Sequence, residues 1–177
     1  MYKFWREHNA NLFKNKFVVY EPDRDILFKE LVNKCQEKCQ MIDVIFNREK
    51  RQQYLENKGK SIPDGTPELV VKQKIGTRVI VDLLQLIKDL RQFFGKNITL
   101  KKHNILPGTV EDTKFLLNNA ISIMNTDTYN AINQIYNATA QLSILLELNL
   151  DDLEIERQKV EEKEGSFLKG KIVKLDD

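Results

Sequence analysis

The sequence predicts an all-α bundle, and three observations carry that prediction. Glycine and proline are scarce, seven and four among 177 residues, and they gather in a few short stretches, as they do between long helices. Apolar residues recur at helical spacing through most of the rest, and alternation at period two is nearly absent. Hydrophobic residues make up 41% of the chain, enough for a packed interior at this length.

Residues 1–20 are an aromatic and basic arm. Phe4, Trp5, Arg6, Lys14 and Lys16 interleave rings and charges as single-stranded nucleic-acid binders do, but packing of the rings on the bundle is the simpler use. Residues 21–177 are expected to form one domain, divisible into halves 21–96 and 108–177. Glu21-Pro22-Asp23-Arg24-Asp25 reads as a helix start, with Asp23 or Asp25 placed to accept from free backbone N–H groups. Ile26, Leu27, Leu31, Cys35, Cys39, Ile42 and Ile45 or Phe46 then mark one amphipathic helix running to residue 56 or so. The loop over 57–67 holds Gly59, Pro63, Gly65 and Pro67. Thr66 as cap with Pro67 in the first turn starts the next helix, because proline there gives up a donor that has no partner anyway.

That helix carries Leu69, Ile75, Val79, Ile80, Leu83, Leu84, Leu86, Ile87 and Leu90, and it stops near Phe94-Gly95. Residues 97–108 are irregular, with Ile98-Thr99-Leu100 as a strand or extended crossover. Thr109-Val110-Glu111-Asp112 resembles a capping box and opens a third helix to residue 125 or so. Thr126-Asp127-Thr128 is a turn with a capping hydroxyl, leading into a fourth helix over 129–148 and a charged fifth over 151–164. The apolar faces of Ile26 to Phe46 and Val79 to Leu90 are wide for a lone bundle of this size, which predicts a dimer with a large apolar interface.

Charge excludes some classes of function. Lys and Arg number 28 against 26 Asp and Glu, a formal charge of +2, too near balance for a general nucleic-acid or membrane binder. No stretch approaches the ~20 apolar residues of a membrane span, and the opening Met1 to Glu7 lacks the apolar core of a signal peptide, so a cytoplasmic protein is expected. Cys35 and Cys39 sit one helical turn apart and read as reduced structural thiols. His8 and His103 stand alone, and the sequence holds no nucleophilic-serine motif, P-loop or Gly-rich dinucleotide motif.

Leu116-Leu117-Asn118-Asn119-Ala120-Ile121-Ser122 and Asn133-Gln134-Ile135-Tyr136-Asn137-Ala138 look like a metal-binding helix pair whose acids have become amides and a hydroxyl. An apolar run over 135–146 follows, then Glu147-Leu148-Asn149-Leu150-Asp151-Asp152-Leu153 and Lys163-Glu164-Gly165-Ser166-Phe167-Leu168-Lys169-Gly170-Lys171-Ile172-Val173. These residues resemble the all-α NTP pyrophosphohydrolases of the MazG-like superfamily. In that family EExxE on one helix and ExxD on the next hold magnesium against a nucleotide's phosphates, and a Gly-Gly-Phe-x-Lys-Gly tail comes after. On that pattern Asn118, Asn119 and Ser122 take the EExxE positions, and Gln134 and Asn137 take ExxD. Magnesium prefers carboxylate oxygens, whereas amides offer a carbonyl without charge. The resemblance therefore implies a site that binds magnesium poorly and needs no cofactor. It also places the tail near the nucleotide, where Lys169 and Lys171 would meet phosphates as point charges. A tail packed by Phe167, Ile172 and Val173 is the alternative.

A fainter likeness covers the first half. Lys29-Glu30-Leu31-Val32-Asn33 resembles EExxE with Glu30 retained, and Val79-Ile80-Val81-Asp82-Leu83-Leu84 resembles ExxD with Asp82 retained. Each half would supply a helix pair, and two pairs make a four-helix core. Glu30, Glu37 and Asp82 are then the acids available for a surviving magnesium site, though a helix face of Glu and Lys is ordinarily just solvated. In the second half Asn130, Asn133 or Gln134, Asn137 and Gln141 share one stripe, and Asn118, Ser122 and Asn125 share another. They form either a polar cleft or a solvated face in an Asn-rich chain. The resemblance implies a catalytically degenerate MazG-like protein that binds a nucleotide without hydrolysis or acts as an interaction subunit, as a homodimer or higher oligomer. An active Mg-dependent NTP or dUTP pyrophosphatase and a helical adaptor with no nucleotide role are the alternatives.

Overall fold

Asn47 divides what the periodicity reads as a single helix. Its backbone is extended, at φ −108 and ψ 118, and its side chain accepts from the Lys50 N–H. Asparagine is a strong N-cap because its short oxygen reaches an N–H left free at a helix start. One helix, α1 (Glu21–Phe46), therefore stops there and a second, α2 (Arg48–Asn57), begins. The computed structural model describes residues 17–18, 21–94, 108–164 and 173–174. The rest of the N-terminal arm, His8, His103, Gly95, residues 97–107, Lys169 and Lys171 lie outside the described residues.

Four more helices complete the order: α3 (Glu68–Phe94), α4 (Val110–Ile123), α5 (Thr128–Leu145) and α6 (Leu150–Glu164). Phe17–Val18 and Val173–Lys174 form a two-residue antiparallel pairing. The all-α class stands, and several boundaries shift. α1 begins at Glu21, so Asp23 and Asp25 lie inside it rather than at its cap. Thr66 does not cap α3 through its hydroxyl, which donates to the Pro63 carbonyl at 2.7 Å; the Pro67 carbonyl accepts the first helical bond from Val71. The Thr109–Asp112 capping box is formed as predicted, each side chain accepting from the other's backbone N–H. At the next turn the cap is the Asp127 carboxylate, while the Thr128 hydroxyl donates back to the Met124 carbonyl.

Helices α1, α3, α5 and α4 close a ring in which each touches the next. Cross-contacts give their directions. Phe28 meets Phe94 and Lys38 meets Asp82, so α1 and α3 are antiparallel. Thr113 meets Gln141 and Asn119 meets Gln134, so α4 and α5 are too. Cys35 reaches the Leu117 carbonyl and Asp43 reaches Lys114, which makes α1 and α4 antiparallel as well. The result is an alternating four-helix bundle of two helix pairs from one chain.

Leu31, Ile42 and Ile45 of α1, Ile80, Leu83 and Leu90 of α3, Leu117 of α4 and Ile132, Ile135 and Leu142 of α5 are each at 0% exposure. Each such side chain stabilises the fold by roughly 1.5–3 kcal/mol. Most of the wide apolar faces of the first two long helices is thus packed inside the chain, with Ile26 left 52% exposed. Helix α3 is buried nearly all round because α6 covers its third side. That cover is polar. Arg157, nearly buried, donates to Glu154 at 2.7 Å, to Gln85 at 2.9 Å and to Glu161 at 2.6 Å, and Glu161 also accepts from Lys88 at 2.6 Å. Helix α5 ends on Glu147 at φ 55, with Leu148 N–H reaching back to Ser143 and Glu147 N–H to Ile144. This is a Schellman turn whose left-handed position ordinarily holds glycine.

Candidate functional site

The α4–α5 pair carries the amide positions. Asn119 Nδ2 donates to Gln134 Oε1 at 2.8 Å, and Ser122 Oγ donates to the Asn119 carbonyl at 2.8 Å and approaches its Oδ1 at 3.5 Å. Asn119, Gln134 and Ser122 are therefore brought together. Asn118 is not, because successive residues on a helix point about 100° apart. It turns toward α1, where its Oδ1 accepts from the Cys39 thiol at 3.6 Å.

Asn137 lies between two bridges of the same seam. On one side is Asn119–Gln134; on the other Gln141 Oε1 accepts from the Thr113 hydroxyl at 3.1 Å. Asn137 Oδ1 is buried with no hydrogen-bond partner among the described residues. Such an atom costs about 1–3 kcal/mol. Of the other stripe residues, Asn133 donates to the Tyr129 carbonyl and Asn130 to the Asp127 cap.

The first-half acids have a different setting. Asp82 accepts from Lys38 at 2.7 Å through one oxygen and from Arg78 at 3.1 Å through the other. Lys38 is 7% exposed and also lies 3.4 Å from Glu37. Glu30 and Glu37 border a shallow surface depression on α1 with Asn33 and Lys34. Lys38 was not singled out in the sequence. Its signal is position: it stands seven after Leu31 and four before Ile42, on the buried stripe, where an ammonium requires a partner.

Neither place suits magnesium. The seam offers neutral amide and hydroxyl oxygens, and Gln134 Oε1 is already engaged. Both Asp82 oxygens face internal cations. Among the described residues no group of three or more His, Cys, Asp or Glu is placed to hold a metal ion. The thiols are equally quiet. Burial, with Cys39 nearby, pushes the Cys35 thiol up to about 12, and burial raises Cys39 despite Lys114, so both stay protonated at neutral pH.

No described helix is long and apolar enough to cross a membrane. Comparison of the chain with protein-family models, with curated proteins and with solved structures finds no match.

Proposed function

We propose that the chain is a catalytically degenerate relative of the MazG-like pyrophosphohydrolases that binds a nucleotide without cleaving it. The observation that carries this reading is the hydrogen bond between Asn119 and Gln134. Hydrolysis of a phosphoanhydride needs a cation to polarise the phosphoryl group and to help activate water. Neutral amides that satisfy one another hold no such ion. Amides do recognise neutral edges, since each donates and accepts, and Asn137 Oδ1 is a buried acceptor that the described residues leave unpaired.

The experiment is a titration of the protein with common NTPs and dNTPs in magnesium and in chelator, followed through the side-chain amide resonances of Asn119, Gln134 and Asn137. Saturable shifts of equal midpoint in both conditions support the reading. Binding that requires magnesium, or none at any nucleotide, contradicts it.

A second reading, an interaction subunit, is favoured by Phe115. It is 67% exposed on α4, on the same side as Asn118 and Ser122. A self-association interface would use such residues, because most of the apolar faces of α1 and α3 is already packed within the chain.

A further inference from the structure

Away from the α4–α5 seam, α2, the loop over 58–67 and the start of α3 enclose a cleft of about 570 Å³, in the usual size range of small-molecule sites. Its anchor is Arg51, only 5% exposed. One guanidinium N–H donates to the Ile45 carbonyl at the end of α1 at 2.7 Å, and another donates to Glu68 at the start of α3 at 2.8 Å. These bonds spend two of the five N–H groups an arginine carries and fix the plane of the rest at the cleft wall.

Charge is distributed unevenly along the cleft. At one end the hydrogen bond from Arg51, then the charges of Lys72 and more weakly Arg48, hold the Glu68 carboxyl below its ordinary range. Glu56, Lys60 and Asp64 also line the cleft. Eight residues of helix, about 12 Å, separate Arg48 from Glu56. Leu55, Ile62 and Val71 supply apolar lining. The loop wall is a set of defined turns. Gly59 and Gly65 take φ 66 and φ 85, and Thr66 N–H and hydroxyl both donate to the Pro63 carbonyl.

We propose that this cleft binds a small organic acid, with its phosphate or carboxylate against Arg51 and Arg48, its apolar body against Leu55, Ile62 and Val71, and a hydrogen-bond donor at the lip of Glu56 and Asp64. A bare inorganic anion fills only the basic end. An apolar molecule leaves the guanidinium edge without an acceptor. The proposal does not depend on the amide seam.

The test is a titration of isotope-labelled protein with 4-aminophenyl phosphate and 4-aminobenzoate, and with phenyl phosphate and inorganic phosphate as partial ligands. Saturable shifts of the Arg51 Nε–H and of the Ile62, Gly65 and Thr66 amides are expected, weaker for phenyl phosphate and weakest for inorganic phosphate. A tighter phosphate or a tighter carboxylate identifies the charged group, and either supports the site. Arg48→Gln removes an exposed charge without touching the strut at Arg51, and it should weaken binding roughly threefold, about what one exposed ion pair contributes. Shifts that never saturate, that spread over surface lysines, or that are unchanged in Arg48→Gln would overturn the proposal and leave Arg51 as a strut between helices.

Discussion

Asn119 and Gln134 are joined across the α4–α5 seam by one amide-to-amide hydrogen bond of 2.8 Å, Nδ2 to Oε1. The bond pairs an N–H of one amide with the oxygen of the other and adds no net charge between the two helices. Carboxylates at these positions would repel until a cation arrived.

The double substitution Asn119→Glu, Gln134→Glu should therefore lower stability in chelator by roughly 1–3 kcal/mol, the cost of a lost buried-edge hydrogen bond replaced by repulsion. Magnesium should restore part of it, because an ion bound only by the folded state stabilises that state by mass action. Melting curves of both proteins with and without the metal measure this. Identical melting in all four conditions would mean that the two side chains do not converge.

Gly76 lets α3 and α5 approach. A Cβ built there would lie 2.1 Å from Leu146 Cδ1, a side chain at 0% exposure, and Gln73 Nε2 donates to the Leu146 carbonyl at 2.8 Å beside it. Gly76→Ala gains about 1 kcal/mol of helix propensity but overpacks the crossing at a cost of about 1–3 kcal/mol. Net destabilisation in urea unfolding is expected. Combining it with Leu146→Ala should cost less than the sum of the two changes, since the second removes the clash. Strict additivity would place the two residues out of contact.

Glu161 couples α6 to pH. The hydrogen bond from Lys88 first, and that from Arg157 after it, lower its carboxyl below the ordinary range against the opposing effect of burial. A carboxylate with a lowered folded value contributes stability that is present above its unfolded value of about 4.3 and is lost as pH falls through the folded one. Glu161→Gln should thus melt lower than the parent at neutral pH, and the difference should shrink as pH drops below the carboxylate range. A difference that stays constant down to the acid limb would show that the ion pairs do not hold α6.

Local signals were legible in the sequence and long-range ones were not. The Thr109–Asp112 box lies within four residues and could be read directly. The break at Asn47 was masked because apolar spacing continues on both sides, through Ile42 and Ile45 before it and Tyr54 and Leu55 after it, while only a backbone dihedral at one residue interrupts the helix. The polar stripe on α5 was visible, but its use was not. Asn133 donates to its own helix, Gln134 accepts from α4, and Asn137 Oδ1 has no partner among the described residues, a difference that depends on how the two helices face each other. Lys38 and Asp82 are 44 residues apart, so their pairing becomes visible only when α1 and α3 are known to be antiparallel neighbours. For the same reason the covering of the apolar faces was not legible in the sequence: the second helix pair of the same chain packs over most of them, while Ile26 stays exposed.

Pyrophosphate release from each common NTP and dNTP, measured with purified protein in excess magnesium, tests the non-hydrolytic reading most directly. An amide seam without carboxylates, together with an Asp82 already held by Lys38 and Arg78 between α1 and α3, predicts no release above the protein-free reaction. Magnesium-dependent turnover near the ~10 per second of ordinary enzymes, lost on Asp82→Asn, would contradict it and return the chemistry to the first helix pair.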